Sequence, residues 1–291
     1  MSINLGGVYT STTDAAIAAF DTEVKLVYQG EGVLRSCVRV KTGVTGQQYA
    51  FRKMGAGMAY QQTSSAEAIT PNDTSHSKIF ATLTNWRIGD YTDLFDQAET
   101  NIDERMELAK SFAKSIGRAE DQLIINALNT ATGLAGAVTA NYGGTSTGLT
   151  ADKLRHAKRY LMQNQAAGGD HYLATTAIGL ETALAEIEVT SADYQTMRVL
   201  VDANLDNKKA FGFTFKIIEN RLEGGLPTAS TTCVYSYAWD KASTGLATAI
   251  EPQSRVDFIP VNGAWLSQSI YMGGSAVIDA LGVVSISVYG S

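Results

Sequence analysis

Residues 46–86 read GQQYAFRKMGAGMAYQQTSSAEAITPNDTSHSKIFATLTNW. The run around Gln48 to Met54 and the run Lys78 to Trp86 carry the β-branched and aromatic residues of strands. Between them, residues 55–76 are rich in Gly, Ser, Thr and Gln. A structureless loop of that length inside a compact domain is uncommon, and where it occurs it is usually functional. A long hairpin whose far end projects from the body reconciles the three runs, because the polar stretch then fills no gap in a core.

The flanking segments define what the hairpin projects from. Upstream, Ile17, Phe20, Val24 and Val27 recur at helical spacing after Thr12 and Thr13, with Gly30 beyond them, which predicts an amphipathic helix over 12–28. Leu34 to Val40 then reads as a strand. Downstream, Ile102, Met106, Ala109, Ala113, Ile116, Leu123 and Ala127 predict one long helix over 101–129, opened by the capping-box pair Asn101 and Glu104. At 1.5 Å per residue that helix would run roughly 40 Å and needs an extended surface to lie on.

Further helices are expected over 149–165, closed by Gly168 and Gly169, and over 177–187, with a strand at His171–Thr176 between them. Alternation places Phe211, Phe213, Phe215 and Ile217 on one face of a strand. Residues 232–239, 255–260, 265–272 and 276–289 read as strands, the last two joined by a turn at Gly273 and Gly274. The class is α+β.

Composition excludes several functions. The 291 residues are 45% hydrophobic and 18% charged, with a net charge of −6. That balance argues against a tight grip on a phosphate backbone, which takes clustered Lys and Arg. No apolar run reaches the roughly 18 residues of a membrane span, and the first residues have no signal-peptide pattern, so no membrane partner is expected. Cys37 and Cys233 stand alone and read as reduced core thiols.

Catalytic and metal chemistry find little support. His76, His156 and His171 lack metal-site spacing, and no cofactor is expected. The acids Asp90, Asp93, Asp96, Glu99, Asp103, Glu104 and Glu107 read as solvated charge leading into the long helix. GTSTG, residues 144–148, formally matches a nucleophile elbow centred on Ser146. Its flanks, Asn141-Tyr142-Gly143 and Leu149-Thr150, are loop-like, and a serine hydrolase using Ser146 is the weaker reading.

The stretch TGQQYAFRKMGAGMAYQQ through SKIFATLTNW to the helix DERMELAKSFAKSIGRAEDQLIINALN, then KKAFGFTFKIIENRL, then SIYMGGSAVIDALGVVSISV, follows one another in an order that resembles the major capsid proteins of tailed bacteriophages, the HK97-like fold. The resemblance covers nearly the whole chain. It implies an N-terminal arm and first P-domain strand over 1–45, an E-loop hairpin over 46–97, a P-domain with its spine helix over 98–148, an A-domain over 149–261 and closing P-domain strands over 262–291.

The function so implied is that of a non-enzymatic structural protein assembling as hexamers and pentamers into the icosahedral head around a double-stranded DNA genome. Expected partners are copies of itself, a portal protein, a decoration protein and weakly held DNA. The arm begins at once, which implies a separate scaffolding protein. Its place is the virion capsid, assembled in the host bacterial cytoplasm. Inter-subunit contact is expected through Tyr49, Phe51, Lys53, Met54, Met58, Tyr60, Gln61, Gln62, Ile69 and Lys78. Lys53 and Lys78 match no cross-linking motif, so covalent cross-linking is not carried over. A cargo-enclosing nanocompartment of the same fold is the alternative.

Overall fold

A computed structural model describes residues 31–69, 71–93, 104–164, 166, 169–185 and 206–290. The expected helix over 12–28, the Asn101 cap, Gly168 and residues 186–187 lie outside the described residues. The strands of the first half are β1 (Arg39–Lys41), β2 (Gln48–Met54), β3 (His76–Thr82), β4 (Thr84–Asp93) and β5 (Gly136–Val138). Those of the second half are β6 (His171–Thr175), β7 (Lys209–Ala210), β8 (Phe213–Ile217), β9 (Thr228–Ser230), β10 (Cys233–Asp240), β11 (Thr244–Ile259), β12 (Ala264–Val277) and β13 (Val283–Tyr289). The helices are α1 (Glu104–Thr130), α2 (Ala151–Gln163) and α3 (Ala177–Leu184).

The described residues form three sheets. One has the order β1-β11-β12-β4, a second runs β5-β13-β10-β6-β8-β7 with β9 beside β10, and β2 pairs β3 alone. The long helix α1 joins the first two. Its Ile124, Ile125 and Leu128 are buried with Tyr237 and Trp239 of β10, Leu246 of β11 and Val283 of β13. On the opposite face of the second sheet, α2 buries Leu154, Ala157 and Leu161 against Phe213, Phe215, Ala238 and Ile286. Thr150 starts α2 by accepting from the Lys153 amide, and Thr176 starts α3 by accepting from that of Gly179.

Leu34–Val40 corrects the expected strand. Residues Arg35–Cys37 form a 3-10 turn, and only Arg39–Lys41 pairs, parallel to β11. The reason is Asp121 of α1, whose buried carboxylate accepts from the Val33 and Leu34 amides, both at 2.9 Å, and so removes them from any ladder. Beside it, Arg35 bridges Glu120 at 2.9 Å and Glu251 at 2.6 Å. Gly32 crosses α1 at Gly117, where a Cβ on Gly32 would lie 2.5 Å from the Gly117 carbonyl oxygen.

Burial raises the Asp121 carboxyl from 3.8 to about 6, against the two backbone hydrogen bonds that pull it down. The native state therefore holds a proton between those values that the unfolded chain has released. Asp121 contributes stability as pH falls from about 6 toward 4, and that contribution is lost as pH rises through 6. Urea unfolding of Asp121→Asn across this window should lack a pH-dependent change in stability of up to about 3 kcal/mol that the parent shows.

Four further differences follow from packing. The run 78–86 breaks at buried Leu83, because β3 serves the hairpin and β4 serves β12. Phe211 lies in the turn before β8 at φ 51, so the alternating face keeps Phe213 and Phe215 as its buried rings. Gly273 and Gly274 are inside β12 and form no turn: a Cβ on Gly274 would sit 2.1 Å from the Thr82 carbonyl oxygen, so glycine here permits a backbone crossing. Strand β11 begins at Thr244, eleven residues before the expected 255 (255 − 244 = 11), because Thr244–Thr248 are buried and show no alternation.

Sheet membership also divides the chain differently from the expected boundaries. Within 149–261, β11 belongs to the four-stranded sheet, and within 262–291, β13 belongs to the seven-stranded one. The chain crosses between these sheets at 241–243 and again at 278–282, and the two crossings touch. The Ile278 and Asp279 amides both donate to the Ser243 carbonyl, at 2.7 and 3.1 Å.

Candidate assembly interface

Strands β2 and β3 pair in continuous antiparallel register from Gln48↔Thr82 to Met54↔His76. One face of the hairpin is rooted in its own subunit. Phe51 is 3% exposed and lies over Gly245, where a Cβ would stand 2.6 Å from the ring. Val44, Ala81, Leu83, Ala247, Ala276 and Ile278 complete that cluster. Tyr49 packs edge-on against Phe51 at 4.9 Å, and Lys53 pairs with Asp279 at 2.8 Å. Three of the ten expected contact residues, Tyr49, Phe51 and Lys53, are therefore the hairpin's own anchorage.

The other seven stay outside. Met54, Met58, Tyr60, Gln61, Gln62, Ile69 and Lys78 are all exposed, Ile69 to 93%. The far end is held by its own polar groups instead of a core. The Gly55 amide donates to Ser75 at 2.8 Å, and Glu67 Oε2 accepts from the Thr63 amide at 2.8 Å, its hydroxyl at 3.0 Å and the Ser64 amide at 3.3 Å. Those bonds hold the Glu67 carboxyl below its ordinary range. Burying Met, Tyr and Ile side chains against a partner would contribute roughly 1.5–3 kcal/mol each, an energy the isolated subunit leaves unused.

A second exposed apolar cluster was not anticipated. It lies at the far end of the four-stranded sheet: Val256 and Phe258 of β11 on one face and Val261 in the turn, with exposed Tyr91 of β4 on the opposite face. The turn after β11, with Gly263 at φ 60, is the signal that could have found it, since β11 itself is exposed from Ile250 to Phe258.

Ser146 lacks the geometry of a nucleophile elbow. It is exposed at φ 54, eight residues after β5 ends at Val138 and five before α2 starts at Ala151 (146 − 138 = 8; 151 − 146 = 5). Its amide donates to Asn141 Oδ1 at 3.0 Å. Beneath this loop Lys153 is fully buried, and its Nζ donates to the carbonyls of Ala140, Thr147 and Ser287 at 3.2, 2.7 and 3.0 Å. Burial lowers its pKa to about 8. The motif is thus a loop tied down by a lysine. His171 sits between Lys158 Nζ, 3.0 Å from its Nδ1, and the Ala166 carbonyl, 2.6 Å from its Nε2. Among the described residues no group of His, Cys, Asp and Glu could hold a metal ion, and both cysteines are buried free thiols.

The same architecture recurs in known particles. The capsid of cyanophage P-SCSP1u matches with a TM-score of 0.74 at 13% identity, over 96% of this chain and 94% of that one. The head of Helicobacter pylori bacteriophage KHP40 matches with a TM-score of 0.72 at 9% identity, over 100% and 99%. The capsid of cyanophage Pam1 matches with a TM-score of 0.70 at 13% identity, over 96% and 97%. No curated protein matches the chain in sequence. The sequence profile described as phage capsid protein, however, matches residues 12–289. With the HK97-like fold, the rooted hairpin and the long helix bridging two sheets, this chain belongs to the phage capsid protein family.

Proposed function

We propose that this shell subunit assembles as hexamers and pentamers into the icosahedral head of a tailed phage with a double-stranded DNA genome. Its β2–β3 hairpin serves as the E-loop laid over a neighbouring copy. The lobe of α1 and the four-stranded sheet is the P-domain, and the seven-stranded sheet with α2 and α3 is the A-domain. The observation that carries this reading is a hairpin rooted by Phe51 at one end and exposing Met58, Tyr60 and Ile69 at the other.

Small and flexible side chains along residues 55–69 let one sequence fit the slightly different neighbours of five-fold and six-fold positions. The contact set we propose is Met54, Met58, Tyr60, Gln61, Gln62, Ile69 and Lys78. The net charge of −6 suits a wall past which DNA must slide. A separate scaffolding protein, a portal and a decoration protein complete the partners, and assembly takes place in the bacterial cytoplasm.

The test is electron microscopy with size-exclusion mass, on the protein alone and then with candidate scaffold. Closed shells, tubes or capsomer rings of megadalton mass are expected. A stable monomer or dimer under both conditions would refute the reading. Particles that copurify with an enclosed protein instead of nucleic acid would refute the genome-enclosing part and favour a nanocompartment.

A further inference from the structure

Residues 31–38 form a strap across α1. Gly32 meets Gly117 backbone to backbone, so no side chains interlock at the crossing, and charge holds the strap instead. Glu31 pairs with Lys114 at 3.1 Å, Asp121 accepts from the Val33 and Leu34 amides, and Arg35 bridges Glu120 of α1 and Glu251 of β11. Glu251 falls where the β11–β12 register shifts between Ile250 and Gln253, a bulge beside the strap. Tyr271 of β12 donates to the same Glu120 oxygen at 3.3 Å. Beyond these contacts Cys37 is fixed, buried and with its carbonyl bonded to Trp239. Within 31–36, Leu34 is the one buried side chain.

The charges at this crossing do not balance. Lys114 with Glu31, and Arg118 with Glu223, form neutral pairs. The groups facing the Asp121 carboxyl are Glu120 beside it on α1, Arg35 and the Cys37 thiol on the strap, and Arg221 between β8 and β9. Glu251 and Tyr271 act on it through Glu120. Three carboxylates thus share two guanidiniums where Asp121 is 1% exposed. One proton restores neutrality, and burial favours the protonated carboxyl at both Asp121 and Glu120. With the strap lifted, water reaches both groups and that proton is released.

We propose that residues 31–35 are a proton-linked latch: the strap closes on α1 with uptake of one proton and opens about Cys37 when that proton is lost. The latch is local and needs no neighbouring copy, so it stands apart from the shell reading. The closed strap holds the extra proton between 3.8 and about 6, so opening becomes easier as pH rises through about 6 and is suppressed below it. Acid locks the strap, and neutral pH leaves it free to open.

The test is amide hydrogen exchange on the full-length, unassembled subunit, comparing a peptide over 31–36 with one over β10. After correction for intrinsic exchange, strap protection should fall roughly tenfold between about pH 5 and about pH 7.5. It should stay below that of β10 throughout and be insensitive to dilute urea, the mark of a local opening. Asp121→Asn should abolish the pH dependence. Gly32→Ala, whose Cβ would press on the Gly117 carbonyl, should lower strap protection at every pH while β10 keeps its own. The parent profile is decisive by itself if either variant fails to fold. Strap amides as protected as β10 at every pH would mean that the strap opens only with the whole subunit, and pH-independent strap protection would remove the proton from the mechanism. Either result overturns the latch.

Discussion

Replacing residues 56–74 with a short Gly-Ser linker is expected to leave a folded subunit, melting within about 3 °C of the parent, that no longer forms particles. The described residues in that span are exposed or half-exposed and add nothing to the three core clusters. The root survives the deletion, because Phe51, Ala81 and the Lys53–Asp279 pair all lie outside it. What is lost is Met58, Tyr60 and Ile69, the large apolar side chains that the subunit has no use for by itself. Thermal melts and size-exclusion mass on the same preparation decide the matter. Particle formation by the shortened chain would move the decisive contacts to other surfaces, and a collapse in melting temperature would make the tip part of the fold.

The largest expected loss of stability is at Trp239. It is fully buried where α1, the strap at 33–38 and the seven-stranded sheet meet, its ring stacks on Tyr172, and its Nε1 donates to the Cys37 carbonyl at 3.0 Å. Trp239→Ala removes the ring and leaves that carbonyl unpaired, a loss of roughly 4–6 kcal/mol. Set against a total of about 5–15 kcal/mol for a typical domain, that brings the subunit close to unfolding. Trp239→Phe keeps most of the volume and should cost about 1–2 kcal/mol. Urea unfolding of both variants checks the ordering. Equal effects would mean that the hydrogen bond dominates over packing.

Local pattern made much of this legible. Gln48–Met54 is a strand as expected, the long helix is present over Glu104–Thr130, and His171–Thr175 lies between two helices. Each is specified by its own residues. The errors fall where a residue answers to something distant in sequence. Leu34 turns because Asp121, 87 positions away, takes its amide. Gly274 stays extended because Thr82 crosses it, and the Thr244–Thr248 run is buried by neighbours that local sequence does not name.

The interface divides the same way. Polar, flexible composition located the exposed tip at 55–69. Which hairpin face belongs to its own subunit depended on Gly245 lying under Phe51, and no local pattern announces that. The end of the four-stranded sheet went unrecognised because exposed Tyr91, Val256 and Phe258 look in sequence like ordinary strand interior.

The paired crossings at 241–243 and 278–282 set the mechanics of the subunit. The two segments share the Ser243 carbonyl, and α1 braces the same junction by packing on residues of both sheets. A displacement of either sheet therefore disturbs both the shared hydrogen bonds and a common core, so the two lobes should shift together as one rigid tile.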